Sequence, residues 1–250
     1  MFFDLGINVS SASNMHGCLL MAKKLGYSTI AVNHHTSITE RGLEVPEIRE
    51  FAAQNHVDPC IYFTESVNPK IVEYPNIINR LTVTVNSLTK ITTLKNDSLD
   101  KFDLLAARPM NNKCFEYCCR DAAIDMIDLD LTQKLPVRLG FHDINVAISR
   151  GVSFSVSYGD AMISMDEKMM FLSQLSSLIT FTRGRNIIFC SGADAPRLIR
   201  DHTSLRNLLD VVGLPFTKAR RCFTSNCLIA LENAVNRRSV GGAVSITQAK

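Results

Sequence analysis

Four groups of side chains in this sequence could do chemistry. His34 and His35 are adjacent imidazoles, good ligands for a divalent transition metal and able to titrate near neutral pH. They can hold a metal weakly or be hydrogen-bonded strand-end histidines. His16, His56, His142 and His202 are scattered and add no ligand spacing. Asp125, Asp128 and Asp130 form a run in which Asp128 and Asp130 share one face of an extended segment and Leu129 the other. Two carboxylates on one face can act as an acid and base pair. A solvated strand end, or an ion pair with Arg108, is the expected role. Ser191, in Cys190-Ser191-Gly192-Ala193, lacks the Gly-x-Ser-x-Gly elbow of a nucleophile and is expected in a tight turn. The fourth group is cationic. Between residues 183 and 221 stand Arg183, Arg185, Arg197, Arg200, Arg206, Lys218, Arg220 and Arg221, against only Asp194, Asp201 and Asp210.

Arginine grips phosphate through two parallel N–H donors, so this segment suits a nucleic acid as well as it suits a solvated helix face. Several of the arginines follow the apolar run that begins at Asn186 and could gather at one rim. Arg108, Lys113, Arg138 and Arg150 come from neighbouring units. Few aromatics are interleaved, so base stacking is not indicated, and recognition of folded RNA by shape and phosphate fits better. The chain as a whole carries a net charge of only +3 with a pI of about 8.4, which permits such binding without demanding it.

The elements that position these groups alternate. Asp103 to Leu139 reads as strand, helix, strand: an apolar run ending at Arg108 and Pro109, a helical stretch from Lys113 to Ala123 with Phe115, Cys118, Cys119 and Ala122 at three-to-four spacing, then Asp125 to Asp130. That is the parallel unit of an α/β protein, with Arg108 at its functional edge. Further strands are expected at Phe2–Ile7, Ser28–Val32, Arg80–Val85, Val152–Val156 and Asn186–Cys190, with a doubtful one at Ile61–Phe63. Helices are expected from an N-cap at Asn14 to Gly26, from Pro46, at Asn145–Ser149, at Asp166–Thr182, around Leu205–Val212, and from Thr217 to Arg238, in one piece or two. His34 and His35 would lie just past the second strand, and Ile38 to Gly42 in a loop. Met169 and Met170 read as core filler.

Seven strands alternating with helices in 250 residues, without a glycine-rich dinucleotide fingerprint, suit a closed barrel better than an open sheet. The expectation is one domain over residues 1–238 and a flexible tail over 239–250. Apolar content of 46% and charged content of 20% are those of a globular domain. The eight cysteines, Cys18, Cys60, Cys114, Cys118, Cys119, Cys190, Cys222 and Cys227, sit in or beside apolar runs without a Cys-x-x-Cys pair, as reduced core thiols do. No basic leader and no apolar run of membrane-spanning length is seen, so a soluble protein is expected.

Several motifs, in order, resemble the 30-kDa protein subunit family of ribonuclease P and ribonuclease MRP. They are Phe3-Asp4-Leu5, Leu25 to His34, Asp103 to Pro109 with Lys113 and Phe115, and Asp128 to Leu139 with Lys134-Leu135-Pro136. Ile144 to Val152 with Phe154, Gly184 to Ala193, Leu205-Arg206-Asn207-Leu208 and Ser225-Asn226-Cys227 complete the series. The resemblance implies a TIM-barrel-like fold of the PHP type, a (β/α)7 barrel related to polymerase-and-histidinol-phosphatase enzymes. It implies a protein subunit of an RNA enzyme that removes the 5′ leader of precursor tRNA and, in its MRP form, processes ribosomal RNA. The RNA would carry the active centre and its Mg2+, and this chain would bind no cofactor. The implied partners are the RNase P/MRP RNA, precursor tRNA through the complex, a small partner protein and other complex proteins, with no membrane. The implied location is the nucleus and nucleolus.

Metallophosphoesterases of the related barrel end their first strand in His-x-His and their second near Asp-His. Here Gly6 and Asn8 stand at the first pair and Asn33 at the carboxylate, leaving His34. Glycine offers no ligand atom and a neutral amide is a poor substitute for imidazole. No catalytic residue and no metal ligand is therefore assigned. A residual metal-dependent phosphoesterase of the PHP type and a purely protein-bridging scaffold are the alternative functions. The RNA-binding set is Arg108, Lys113, Arg138, Arg150, Arg183, Arg185, Arg197, Arg200, Lys218, Arg220 and Arg221.

Overall fold

The structure is a computed structural model that describes residues 1–8, 12–39, 42–43, 76–87, 99 and 101–240. Seven parallel strands form a nearly closed barrel in the order β1 (Phe3–Asn8), β2 (Thr29–Thr39), β4 (Asn76–Val85), β5 (Leu104–Pro109), β6 (Met126–Leu129), β7 (Ser153–Ser157) and β8 (Ile187–Cys190). A two-residue strand, β3 (Gly42–Leu43), pairs antiparallel with the end of β2. Among the described residues the α-helices are α1 (Ala12–Lys24), α2 (Asn112–Arg120), α3 (Phe141–Ser149), α4 (Met165–Thr182), α5 (His202–Val211), α6 (Phe216–Arg221) and α7 (Ser225–Val240). Because every barrel strand is parallel, each returning helix starts at the carboxyl end of the barrel and finishes at its amino end.

The seam between β1 and β8 is held by specific groups. Gly192 N–H donates to the Gly6 carbonyl at 2.7 Å, and the Asp4 carboxylate accepts from Ser191 N–H at 3.0 Å. Gly192 has φ +61°, and a Cβ there would stand 2.7 Å from Ser157 Cβ, so both the turn and the packing require glycine.

Apolar and polar residues alternate along the strands, but both faces are enclosed. Outward residues such as Leu81, Val83, Leu105, Ile127, Phe154 and Phe189 meet α2 to α6 in the largest core cluster. Ile7, Ile30 and Val32 meet Met15, Cys18, Leu19 and Ala22 of α1 in another. Inward residues divide by height. At the amino end Phe3, Leu5, Ala31, Leu104, Ala106, Met126 and Ile188 pack on Cys227, Ala230 and Ala234 of α7. That helix runs across the amino end, with Asn226 donating to Ile187 O, Asn233 to Ile124 O, and Arg237 paired with Asp125. Cys18, Cys114, Cys118, Cys119, Cys190, Cys222 and Cys227 are buried free thiols.

Several boundaries differ from the sequence reading. The second strand continues through His34 and His35 to Thr39, because β2 stays paired with β4 as far as Ser37 opposite Thr84. β4 begins at Asn76 rather than Arg80. Asn14 lies inside α1 rather than capping it, and α3 starts at Phe141. The last helical stretch is two pieces, and the second continues to Val240, beyond the expected end of the domain at 238. The doubtful strand at Ile61–Phe63, the helix after Pro46 and residues 241–250 lie outside the described residues.

Candidate functional site

The carboxyl half of the barrel interior is polar, and its centre is an arginine. Arg80 on β4 is wholly buried. It shares the inward face with Thr82, and its guanidinium lies across the barrel, donating Nε to Thr82 Oγ1, one Nη to Leu5 O and Ser155 Oγ at 2.9 Å, and the other to Asp128 Oδ1 at 2.6 Å. Arg108 at the end of β5 donates Nε and Nη to the other Asp128 oxygen at 2.8 and 2.6 Å. Burial alone would raise the Asp128 pKa, but the two guanidiniums outweigh it and hold the carboxyl far below the usual carboxylate range. The ion pair expected between Arg108 and the aspartate run is therefore present, and it has a second, buried arginine behind it.

Above this triad the network continues in amides. Thr82 Oγ1 donates to Asn33 Oδ1 at 2.7 Å, Asn33 Nδ2 donates to Asn8 Oδ1 at 2.9 Å and lies 2.8 Å from His35 Nε2, and Asn8 Nδ2 donates to Gly192 O. Desolvation and then the Arg108 charge lower the His35 pKa, so the ring is neutral, and its Nε2 also lies 3.1 Å from Asn8 Oδ1. His34 points to the opposite face of β2 and packs edge-on against Phe102, 5.9 Å between ring centroids. It is His35, not His34, that faces the barrel axis.

Gly6, Asn8 and Asn33 are the positions where the sequence resemblance leads one to expect metal ligands. Gly6 faces inward, and a Cβ there would stand 3.0 Å from an Arg80 Nη and 3.0 Å from Cys190 Cβ. The guanidinium fills the space a side chain at residue 6 would need. A cation already paired with the central carboxylate repels a metal ion, and the surrounding donors are amides and hydroxyls. The residues present do not fit a di- or trinuclear metal centre. Among the described residues no three His, Cys, Asp or Glu side chains form a group able to hold a metal. Arg80 escaped the sequence reading, although its alternation with Thr82 and Thr84 placed a polar face on a strand that has no solvent face.

A cleft of about 270 Å³ opens beside the triad, lined by Arg108, Met110, Asp128, Asp130, Lys134 and Pro136, among others. Asp130 there accepts from Thr132 N–H and Oγ1. Ser191 is buried in the seam turn, its hydroxyl accepting from Ala193 N–H.

The remaining basic candidates divide between the two ends. Lys113, Arg138 and Arg197 are exposed on segments that follow strand carboxyl ends. Arg200 is exposed on the segment descending the outside of the barrel, where its N–H donates to Tyr158 Oη and its carbonyl accepts from Tyr27 Oη. Arg150, Arg183, Arg185, Lys218, Arg220 and Arg221 lie at the amino end. Arg150 donates to the carbonyls of Cys118, Cys119 and Ala122, closing the end of α2. Lys218 Nζ donates to Arg183 O at 3.0 Å, which ties α6 to the end of α4, and Arg183, Arg185, Arg220 and Arg221 are exposed. Arg183 and Arg185 before β8 and Arg197 soon after it thus occupy different ends rather than one rim.

The family model for the RNase P subunit p30 matches residues 1–239. A 150-residue stretch is 35% identical to the Protein GAMETOPHYTE DEFECTIVE 1 of Arabidopsis thaliana, covering 59% of this chain and only 26% of that longer protein. The chain is 26% identical to the mouse ribonuclease P protein subunit p30 over 98% of its own length and 90% of the relative's. It is 24% identical to the ribonuclease P/MRP protein subunit RPP1 of Saccharomyces cerevisiae, over 91% and 74%. Among solved structures, a chain of an archaeal ribonuclease P with mature tRNA superposes with a TM-score of 0.64 at 9% identity, covering 98% of this chain and 95% of that one. The histidinol phosphate phosphatase of Lactococcus lactis, solved with zinc, superposes with a TM-score of 0.52 at 13% identity, over 85% and 94%. Both show a shared fold.

Proposed function

Since this chain belongs to the RNase P subunit p30 family, we propose that it acts as a non-catalytic protein subunit of RNase P, and of RNase MRP where that complex is made. It supports removal of the 5′ leader from precursor tRNA and processing of ribosomal RNA, while the RNA supplies the active centre. The observation that carries the reading is the Arg80–Asp128–Arg108 triad: the barrel axis is filled by a buried cation whose donors are engaged, with Gly6 making room for it. We assign the Mg2+ of the reaction to the RNA, no cofactor to this barrel, and the location of the complex, nucleus and nucleolus, to the chain. Precursor tRNA reaches it through the complex, in which it contacts the RNA and other proteins.

The RNA-facing surface is the exposed amino-end cluster of Arg183, Arg185, Lys218, Arg220 and Arg221. These side chains are exposed at the amino end, and phosphate contacts supply much of the affinity for folded RNA. Arg108 has Nε and one Nη spent on Asp128, and Arg150 is spent on carbonyls, so both contribute mainly to the scaffold.

Two measurements test this. Depleting the chain from its native ribonucleoprotein should reduce 5′-leader cleavage, and adding it back should restore it. The isolated chain, given Mn2+ or Zn2+, should not hydrolyse a generic phosphodiester. Turnover by the isolated chain that is lost on Asp128→Asn would overturn the reading in favour of a phosphoesterase.

A further inference from the structure

The sequence pattern put Met169 and Met170 in the core, but they are on the surface. Ile163 is 70% exposed, Met165 71%, Met169 63% and Met170 41%, although the core beneath α4 is well filled by Phe171, Leu175, Leu178 and Ile179. Met165 and Met169 are four residues apart and stand one above the other on the helix, with Ile163 on the turn before them. Met162 and Leu172, half-buried, join this patch to the core. Scattered exposed apolar residues are ordinary, but four large ones within eight positions at one helix start, Met165 and Met169 of them stacked, concentrate apolar surface there.

The patch has a charge sign. Asp160, Asp166 and Glu167 flank it, and Asp130 and Asp194 lie close enough to Asp160 that, after loss of water, they and Glu167 push its carboxyl pKa upward. The cations on this side are Lys168 and Lys134, both exposed, and Arg108, which is bound to Asp128, so the carboxylates outnumber them. Five carboxylates repel a phosphate backbone, so RNA is a poor occupant. A second copy using the same patch would set like charges face to face. Unbranched, polarisable methionines adapt to an inserted apolar side chain, and an acidic surround selects cations beside it.

We propose that the start of α4, with Ile163, Met165, Met169 and Met170, docks a partner protein through an amphipathic helix whose polar flanks carry Lys and Arg. The surface lies away from the basic amino-end cluster, so one chain can hold RNA at one end and a basic protein at the other. The docking stands whether or not the amino-end cluster contacts RNA.

The test uses the full chain in its native complex. A photo-crosslinking benzoylphenylalanine at position 169 should join to a Lys- and Arg-rich helical segment of a different protein. The double substitution Met165→Ser with Met169→Ser, at exposed positions, should leave the unfolding midpoint unchanged. It should lower recovery of that same protein with the tagged chain at least tenfold, with recovery of the RNA unchanged. Cross-links to RNA, to a second copy of this chain, to an acidic segment, or to nothing would each overturn the proposal. So would full recovery of the cross-linked protein with the double variant, or loss of RNA alongside it. If the parent chain recovers no RNase P RNA, the functional reading fails while the cross-link result still decides the docking.

Discussion

A methyl group at residue 6 would meet Arg80 and Cys190 at 3.0 Å, tighter than ordinary packing. Gly6→Ala is therefore expected to cost about 2 kcal/mol, the usual range for overpacking a filled interior, measured by urea unfolding. An unchanged midpoint would mean the guanidinium can move and the axis is not locked. Removing the guanidinium with Arg80→Met leaves Asp128 buried with Arg108 alone, and the cost should be larger, about 3–5 kcal/mol. Asp128 also gives a pH signature. Its folded pKa is depressed below the ordinary value of 3.8, so its stabilisation is fully present above that value. It is lost as pH falls toward the folded pKa, where the unfolded chain binds the proton first. The stability difference between the parent and Asp128→Asn should be flat from pH 7 to pH 5 and narrow below about pH 4, by up to about 1.4 kcal/mol per pH unit. A difference that narrows already between pH 7 and 5 would mean that another group titrates. Gly6 and Asn8 could be read from the sequence as missing ligands, since a side chain's lack of donor atoms needs no coordinates. What replaces them could not, because it depends on Arg80 reaching across from a strand far away in the chain.

At the scale of elements, the strands were legible because their runs are apolar and short, and α2 because its apolar face repeats cleanly. Asn111 caps α2, accepting from Cys114 N–H, so Asn111→Ala should cost about 1 kcal/mol in an unfolding titration. The far end of the same helix explains why Arg150 could not be assigned by charge. Sequence counts cations, but it does not show that α3 ends where the last carbonyls of α2 stand exposed. Arg150 answers two of those carbonyls and that of Ala122 just beyond the helix, so Arg150→Ala should lower stability by about 1–2 kcal/mol while leaving the salt dependence of RNA binding unchanged. A changed salt slope with unchanged stability would reverse that assignment. α4 failed for a related reason. A 3.6-residue period reports residue type, whereas burial depends on how far the neighbouring surface extends, and the first turns of α4 reach past it. The length of β2 was hidden by its polar residues: Asn33, His35 and Ser37 look like a loop until β4 supplies a partner for each.

For the molecule as a whole, closing the amino end with α7 and filling the axis with the triad leaves the outer surface as the place to bind, and charge is divided over it. Arg183, Arg185, Lys218, Arg220 and Arg221 share the amino end, whereas the α4 side of the carboxyl end carries Asp130, Asp160, Asp166, Glu167 and Asp194. On the proposed reading, RNA steered by such a field would arrive with its phosphates at the basic end, and each neutralised phosphate would release condensed counterion. If about four of the five cations touch phosphate, log affinity should fall with log salt at a slope of roughly −3 on single-strand-like sites and −3.6 on duplex. Arg220→Ala with Arg221→Ala should make that slope shallower by about 1.4–1.8, whereas Arg197→Ala, toward the carboxyl end, should leave it nearly unchanged. The measurement is binding of the chain to the RNA subunit of its own complex across a salt series. If Arg197→Ala changes the slope and the pair on α6 does not, RNA grips the side of the barrel beside α1, and the basic amino end has been given the wrong ligand.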